Sequence, residues 1–407
     1  MANVSSSNGI EKYPKLRFPE FSDPWAVTQL RCLFTKNTRK NTTGAITNVI
    51  SNSAKNGLIP QKDYFDKDIA NAENTAGYYI ISKNDFVYNP RKSAEAPYGP
   101  ISRYSYEEDG IVSPLYLCFS GNEGINAEYF EKYFRSSVWY RYIYMSGDSG
   151  ARHDRVSIKD ETFFEMPIHI PCCAEQEKIT AFLSLLDLKI DSHRQLLENL
   201  KKYKRGVINK LINELVQSSP QYSFGQLVCI QRGGSPRPID DYITSDESGI
   251  NWIKIGDVTP DSLYLSQTKE RIKPAGARKS RKVLPGDLIL SNSMSFGRPY
   301  IMQIEGCIHD GWLLIRDESE VFNKKFLCYY LASDIVMAQY RRFAAGSCVS
   351  NLNSDLVGSL QIALPPMPDQ EKSAAIFEQI DSRVVNAAKE YEFLCKLKQG
   401  LLQQLFI

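Results

Sequence analysis

The stretch from Pro171 to Asn213 aligns without gaps onto Pro365 to Ile407 at an offset of 194 residues, with 12 identities in 43 positions. Gln176-Glu177-Lys178 falls on Gln370-Glu371-Lys372, Asp187 on Asp381, Lys204 on Lys398 and Gly206 on Gly400. Apolar positions step by three and four in both copies. The first runs through Leu183, Leu186, Ile190, Leu197, Leu200, Val207 and Leu211; the second through Phe377, Ile380, Val384, Ala387, Tyr391, Leu394, Leu401 and Leu405. That is the spacing of one long amphipathic helix with a coiled-coil seam, interrupted at His193, Lys204 and Lys398. Two seams of one pattern in one chain are expected to pair with each other, because tethering raises their effective concentration.

Each copy follows a proline-bearing boundary, Ile168-His169-Ile170-Pro171 or Ala363-Leu364-Pro365-Pro366-Met367-Pro368. Proline disfavours helix in the residue before it, so a new element starts there. Asp369 is a candidate helix N-cap and Glu175 a favourable first-turn charge. The chain reads as unit, helix, unit, helix, divided at 1–168, 169–216, 217–363 and 364–407. The units look strand-rich, with β-branched and aromatic runs such as Asp85-Phe86-Val87-Tyr88, Asn251-Trp252-Ile253-Lys254-Ile255 and Gly311-Trp312-Leu313-Leu314-Ile315. Each ends in a helical-looking stretch, Asn126 to Arg135 and Asn323 to Tyr340. The expected class is α+β: two globules with curved, mostly antiparallel sheets, separated by two long antiparallel helices in a pseudo-two-fold repeat. Lys83-Asn84-Asp85-Phe86-Val87 parallels Pro285-Gly286-Asp287-Leu288-Ile289, so the globules are related too, more distantly than the helices.

A chain of 407 residues with 43% hydrophobic and 24% charged residues can bury full cores and is a poor fit to disordered, collagenous or membrane classes. A net charge of +2 leaves no global basic field, so any nucleic-acid surface must be local. There is no run of about 18 apolar residues, and Met1 to Gly9 lacks a signal peptide's apolar core, so a cytoplasmic location is expected. Nine cysteines without C-x-x-C spacing and four scattered histidines read as reduced thiols and no structural zinc. Phosphate-loop, metalloprotease, nucleophile-elbow and dinucleotide-binding signatures are all missing. A nuclease-like set at Asp261, Glu270 and Lys273 has the wrong spacing. The chain by itself is expected to catalyse nothing, and to hold neither metal nor cofactor.

Lys269, Arg271, Lys273, Arg278, Lys279, Arg281 and Lys282 put seven cations into fourteen residues with only Glu270 against them. Beside this run stand loops dense in small hydrogen-bonding groups: Gly233 to Pro238, Ser291 to Arg298 and Gly346 to Asn353. Ser, Asn, Gly and Arg in loops can approach phosphates through backbone amides and base edges through side chains, although ordinary turn chemistry uses the same residues. The first globule has counterparts in Thr35 to Asn41, Asn89 to Ser93 and Ser146 to Asp154. Two related modules with different contact loops look like two readers of two different words.

At this point the chain resembles, over its whole length, the specificity subunit of type I restriction-modification systems. The resemblance is carried by Tyr13-Pro14-Lys15-Leu16-Arg17-Phe18-Pro19 with Trp25, by Pro171 with Gln176-Glu177-Lys178-Ile179 and Leu186-Asp187-Leu188-Lys189-Ile190, and by the exit Leu397 to Phe406. Trp252-Ile253-Lys254 and Pro285-Gly286-Asp287-Leu288-Ile289-Leu290 resemble parts of that family's target recognition domains. The first globule lacks the Gly-Gly-Ser-Pro and Pro-Gly-Asp forms, and Ser373 stands where Ile179 would match.

The resemblance implies two target recognition domains held apart by the helix pair and reading the halves of a split double-stranded DNA target. Helices of about 40 residues would be roughly 60 Å long at 1.5 Å per residue, long enough to put the heads on separate major-groove faces. It further implies two methylation subunits acting on adenine N6 and two restriction subunits for ATP-dependent cleavage, with S-adenosylmethionine, ATP and Mg2+ on those partners and no cofactor on this chain. The DNA-binding residues it implies are Arg91, Lys92, Arg152 and His153 in the first globule, and Arg237, Lys254, Ser291, Arg298, Ser347, Asn351 and Asn353 in the second. The competing class is a two-headed adaptor whose coiled coil spaces protein-binding domains.

Overall fold

The computed structural model describes residues 13–64, 75–147, 154–258, 262–292, 297–345 and 352–407. It divides into two compact units, one of Met1–Arg194 with Glu390–Ile407 and one of Gln195–Lys389. The repeated segments are helices over Cys173–Ser218 and Met367–Gln404, and each contributes one part to each unit.

In the first unit a four-stranded antiparallel sheet runs in the order Phe34–Lys36, Leu117–Gly121, Phe86–Tyr88, Ile101–Arg103. Successive side chains on a strand point to opposite faces, which sorts this sheet's residues into two cores. Phe86, Tyr88 and Phe119 enter a cluster with the helix Ala127–Arg135, while Val87 and Cys118 join Ile50, Ile81 and Tyr104 on the other face. The first cluster is aromatic: the Phe34 ring stands edge-on to Phe86, Phe119 and Phe130 at centroid distances of 5.4, 5.3 and 4.9 Å. Such pairs add about 0.5–1.5 kcal/mol each beyond the area they bury.

The second unit repeats this plan with aliphatic residues. Its main sheet runs Cys229–Arg232, Trp312–Arg316, Leu288–Ser291, Pro299–Met302, Tyr264–Leu265, with only the last pair parallel. Leu288 and Leu290 pack toward the helices, and Ile289 toward a second five-stranded sheet through Ile253 and Ile308. Most pairings among the described residues are antiparallel, in line with the sequence reading.

The kinship of the units is visible bond by bond. Leu30 N–H donates to Met166 O and Phe224 N–H to Leu360 O, both at 2.9 Å. Asn126 and Asn323 cap the helices Ala127–Arg135 and Lys324–Leu331. Three residues beyond Tyr133 and Tyr330, the hydroxyls of Ser136 and Ser333 donate back to their carbonyls, both at 2.6 Å. Asn84 (φ 71°) and Gly286 (φ 89°) both turn left-handed, so Asn, which tolerates that region, takes the glycine's place in the first unit. The second helical stretch breaks after Leu331 and resumes as Asp334–Ala345, which continuous helical periodicity did not anticipate.

The helix starts explain the repeated glutamine. Gln176 Nε2 donates to Pro171 O at 3.0 Å and Gln370 Nε2 to Pro365 O at 2.9 Å, satisfying a buried carbonyl ahead of each helix. Asp369 lies within the first turn and is not the cap, because its N–H and that of Gln370 already bond Pro366 O at 3.0 and 3.2 Å. Glu175, 1% exposed, is held by both arms of Arg17 at 2.7 and 2.8 Å. Within each unit the two helices run antiparallel, and the lysine interruptions of the seam form ion pairs. In the first unit Lys398 bonds Asp187, which also takes Lys132 at 2.7 Å, and His193 Nε2 lies 3.5 Å from Glu390. In the second, Lys204 bonds Asp381, and the place of Lys132 is taken by Tyr329, whose hydroxyl donates to the same carboxylate. Burial opposes charge on Asp187, but the two lysines outweigh it and hold its carboxyl below the usual carboxylate range.

Candidate nucleic-acid interface

In the second unit the loop after Cys229–Arg232 turns back over the strand ends. Gly233 N–H bonds Trp312 O at 2.9 Å and Gly234 N–H bonds Ile308 O at 3.1 Å. A Cβ on Gly233 would lie 2.1 Å from His309 O, so the approach of the two backbones requires glycine. The loop is then fastened by Asp310, whose carboxylate accepts Ser235 Oγ at 2.7 Å and lies 3.6 Å from the guanidinium of Arg237. Chiefly because of the Ser235 bond, the Asp310 carboxyl sits below the usual carboxylate range. Arg237 itself is 83% exposed at the end of the loop.

Asn292, 3% exposed, joins three further segments to this point. Its N–H bonds Gly311 O, its Nδ2 bonds Asp310 O, and its carbonyl accepts Leu352 N–H, each at 3.0 Å. The Asp310 carbonyl also accepts Arg232 Nε at 3.2 Å. Behind the hub His309 lies between Trp252 and Trp312, at ring distances of 6.3 and 6.5 Å, and burial lowers its pKa from the ordinary value.

The basic run divides by its partners. Arg281 Nε bonds Arg232 O at 3.3 Å, and Lys279 bonds the Tyr242 hydroxyl at 2.6 Å beneath the Gly234 turn, so both lie beside the loop carrying Arg237. Lys282 is occupied by Glu305 and Lys273 by Asp241 O. Lys254 is paired with Glu270, and its side chain is 40% exposed.

Ser291 is corrected by its position. It is 1% exposed, its hydroxyl accepts Arg298 N–H at 3.1 Å, and its carbonyl accepts Gly297 N–H at 2.8 Å. Closing the loop, not surface contact, is its task. Arg298 and Asn353 are exposed, and Asn353 Oδ1 also caps the helix Ser354–Gly358 by accepting Leu356 N–H at 2.7 Å. Ser347 and Asn351, like Arg152 and His153, lie outside the described residues.

In the first unit Arg91 and Lys92 are exposed beyond the end of Phe86–Tyr88. The segment 90–92 lies antiparallel to 154–156: Val156 N–H bonds Pro90 O at 2.8 Å and Lys92 N–H bonds Asp154 O at 2.9 Å. Arg155 faces Arg91 across this bridge, giving three cations at one edge. The loop Thr35 to Asn41 is structural in large part, since Asn37 and Asn41 are buried and Asn37 Nδ2 bonds the buried Asp85 at 3.0 Å. Residue type pointed to Arg237 and Arg91. Arg281 stood in the basic run, whereas Asp310, Asn292 and Arg155 were not singled out, and of these three only Arg155, continuing Arg152 and His153, carried a usable signal in the sequence.

No described helix is long and apolar enough to cross a membrane, and among the described residues no group of three His, Cys, Asp or Glu is placed to hold a metal. Residues 27–202 match the type I restriction modification DNA specificity domain. Two relatives come from Methanocaldococcus jannaschii. The type I restriction enzyme MjaVIII specificity subunit is 24% identical over 60% of this chain and 63% of its own length; the putative MjaX specificity subunit is 21% identical over 68% and 66%. The chain thus spans just under two thirds of the length of these relatives. The fold is shared with the HsdS subunit from Thermoanaerobacter tengcongensis (TM-score 0.52, 18% identity, 96% of this chain and 98% of that one). It is shared as well with a chain solved in a study of type I R-M complex assembly (TM-score 0.62, 17% identity, 94% and 97%). The chain is thus similar to type I restriction enzyme specificity subunits, through a DNA specificity domain match over residues 27–202 and through a shared fold.

Proposed function

We propose that this chain reads the two halves of a split DNA target, one with each unit, and directs partner subunits to it. The observation that carries the reading is that two units built on one frame, down to matched caps and turns, end in loop sets of different composition. One frame with different loops is what two words of a sequence require, since phosphate contacts position a protein while base-edge contacts specify. On this reading Arg237 and Arg91 approach base edges, and Arg232, Lys279, Arg281 and Arg155 neutralise phosphates. Two methylation subunits transfer the methyl group of S-adenosylmethionine to adenine N6, and two restriction subunits use ATP and Mg2+, so the chemistry lies on partners and this chain supplies the address. The work is done in the cytoplasm, where the host DNA is.

The test is N6-methyladenine mapping in a host expressing this chain with its native methylation partner, against the partner alone. Methylation at one split motif, present only with the chain, is the expected result. An active partner with no motif depending on the chain would overturn the reading in favour of the protein-binding adaptor.

A further inference from the structure

A cavity of about 300 Å3 opens in the first unit beside the edge that carries Arg91, Lys92 and Arg155. One wall is the bridge itself, since Pro90 and Val156, joined by the N–H to carbonyl bond at 2.8 Å, both line the cavity. Tyr79, Tyr116 and Pro114 add further flat groups, and the ion pair of Lys36 with Asp160 sets a donor beside an acceptor. Burial raises the pKa of the Tyr116 hydroxyl, while the Asn52 backbone and the nearby charges of Arg91 and Arg155 lower it. At the rim stands Leu115, 60% exposed. Its turn is closed by Tyr116 N–H on Ser113 O at 3.1 Å and by its own N–H on Ser113 Oγ at 3.3 Å, so an apolar tip is held out on a fixed support.

The second unit closes the same place with its own residues. Val87 pairs with Cys118 and Ile289 with Leu314, and Leu352 N–H bonds Asn292 O as Val156 N–H bonds Pro90 O. Counted from these pairs, Tyr116 corresponds to Trp312, Leu115 to Gly311, Pro114 to Asp310 and Pro90 to Asn292. Trp312 is fully buried, Asn292 ties Gly311 to Asp310, and Ser235 fastens the loop of Arg237 onto them. Pro90 has neither an amide hydrogen nor a polar side chain with which to make those bonds. The first unit therefore keeps an opening where the second has its reading loop.

A phosphate alone would answer the arginines and leave the flat walls and Leu115 unused, and an apolar ligand would leave the arginines unused. A nucleotide unstacked from a duplex uses all of them. Its base lies against the flat groups, its Watson–Crick edge finds a donor and an acceptor, its phosphates meet the cations, and an apolar side chain fills the gap it leaves.

We infer that the first unit takes one base of its half-site out of the stack into this cavity, with Leu115 filling the gap, and that the second unit reads its half without extruding a base. The inference rests on the split-target reading above and names how one of the two words is read. The base is a different one from the adenine that the partner methylates.

The experiment measures binding of the full chain with its native methylation partner to duplexes in which each nucleotide of the target in turn faces an abasic residue, for the wild type and Leu115→Ala. Arg91→Ala marks the half-site that belongs to the first unit, and thermal melts check that the variants fold. An abasic residue opposite an extruded base removes the pair that must be broken, so binding tightens at that position and not at its neighbours. Methylated adenines apart, one position is expected to tighten by about threefold or more, and it lies in the first unit's half-site. Leu115→Ala is expected to weaken binding to the intact duplex by about fivefold and to this opened duplex by less than about twofold. No tightened position in that half-site, a tightened one in the other half-site, or equal loss on both duplexes overturns the inference, while specific binding keeps the split-target reading. Weaker assembly of Leu115→Ala with the partner at unchanged DNA affinity assigns Leu115 to a protein contact and also overturns it. So does a flat scan with saturable binding of nucleoside monophosphates to the chain without DNA, which assigns the cavity to a free nucleotide. Absence of specific binding by the wild type overturns the inference and the split-target reading together.

Discussion

Arginine chemistry at the loop of the second unit separates into two kinds by geometry. Among the described residues Arg237 is held by a 3.6 Å approach to Asp310, whereas Arg281 is anchored on a main-chain oxygen. Replacing Arg237 by Ala is expected to relax discrimination at one base pair by about 1–3 kcal/mol, and Arg281→Ala to weaken all sequences alike while flattening the salt dependence by about one ion. Binding titrations at several salt concentrations, on the target and on single-base variants, decide between them; equal loss on every sequence for Arg237→Ala would make it a phosphate contact. Asp310→Ala gives a different signature. Removing a carboxylate beside the cations raises affinity for unrelated DNA, while freeing Ser235 and Arg237 lowers discrimination, and folding stability changes by no more than about 1 kcal/mol. Nonspecific affinity that falls instead would show that the hub mainly holds the fold. At this scale the sequence was legible for exposed arginines and opaque for the residues beneath them. Ser291 looks like Ser235 in composition, yet its burial is set by a strand partner, Trp312, more than twenty positions away.

Among the elements, the long helices were the most legible part of the chain, since a period of three and four survives in a single sequence without help from tertiary contacts. The seam includes polar residues because the two copies supply complementary charges. Asp187 in one copy takes Lys398 in the other, and Asp381 takes Lys204. Replacing Asp187 by Asn leaves Lys132 and Lys398 side by side, with side-chain exposures of 11% and 21%, and is expected to cost about 2 kcal/mol of stability near neutral pH. The pH dependence follows from the lowered Asp187 carboxyl. A depressed folded value means that the stabilisation is complete above the unfolded carboxyl value, near 4, and is lost as pH falls through the lower folded value. Urea unfolding between neutral pH and pH 3 is therefore expected to show a smaller acid-induced loss in Asp187→Asn than in the wild type. Parallel curves would remove Asp187 from the acid response. The short strands were less legible: Tyr264–Leu265 has two residues, and its pairing with Pro299–Met302 is decided by the core it covers.

For the molecule as a whole, the duplication was readable in the helices and faint in the globules, because packing constrains a frame without constraining the residues that fill it. Tyr133 and Tyr330 keep one role, whereas an aromatic cluster around Phe34 is answered in the other unit by Leu288, Leu290 and Leu313. Each unit has a core of its own, so residues at the two sets of loops share no partner among the described contacts. Substitutions without shared partners add to within about 0.3–0.5 kcal/mol. If each unit reads its own half-site, the Arg91→Ala and Arg237→Ala losses on one duplex should sum in the double variant within that margin. Each single variant should relax only one half of the target. A coupling well above 1 kcal/mol in this cycle would mean that one unit's contact changes how the other binds, and the two words would have to be treated as one.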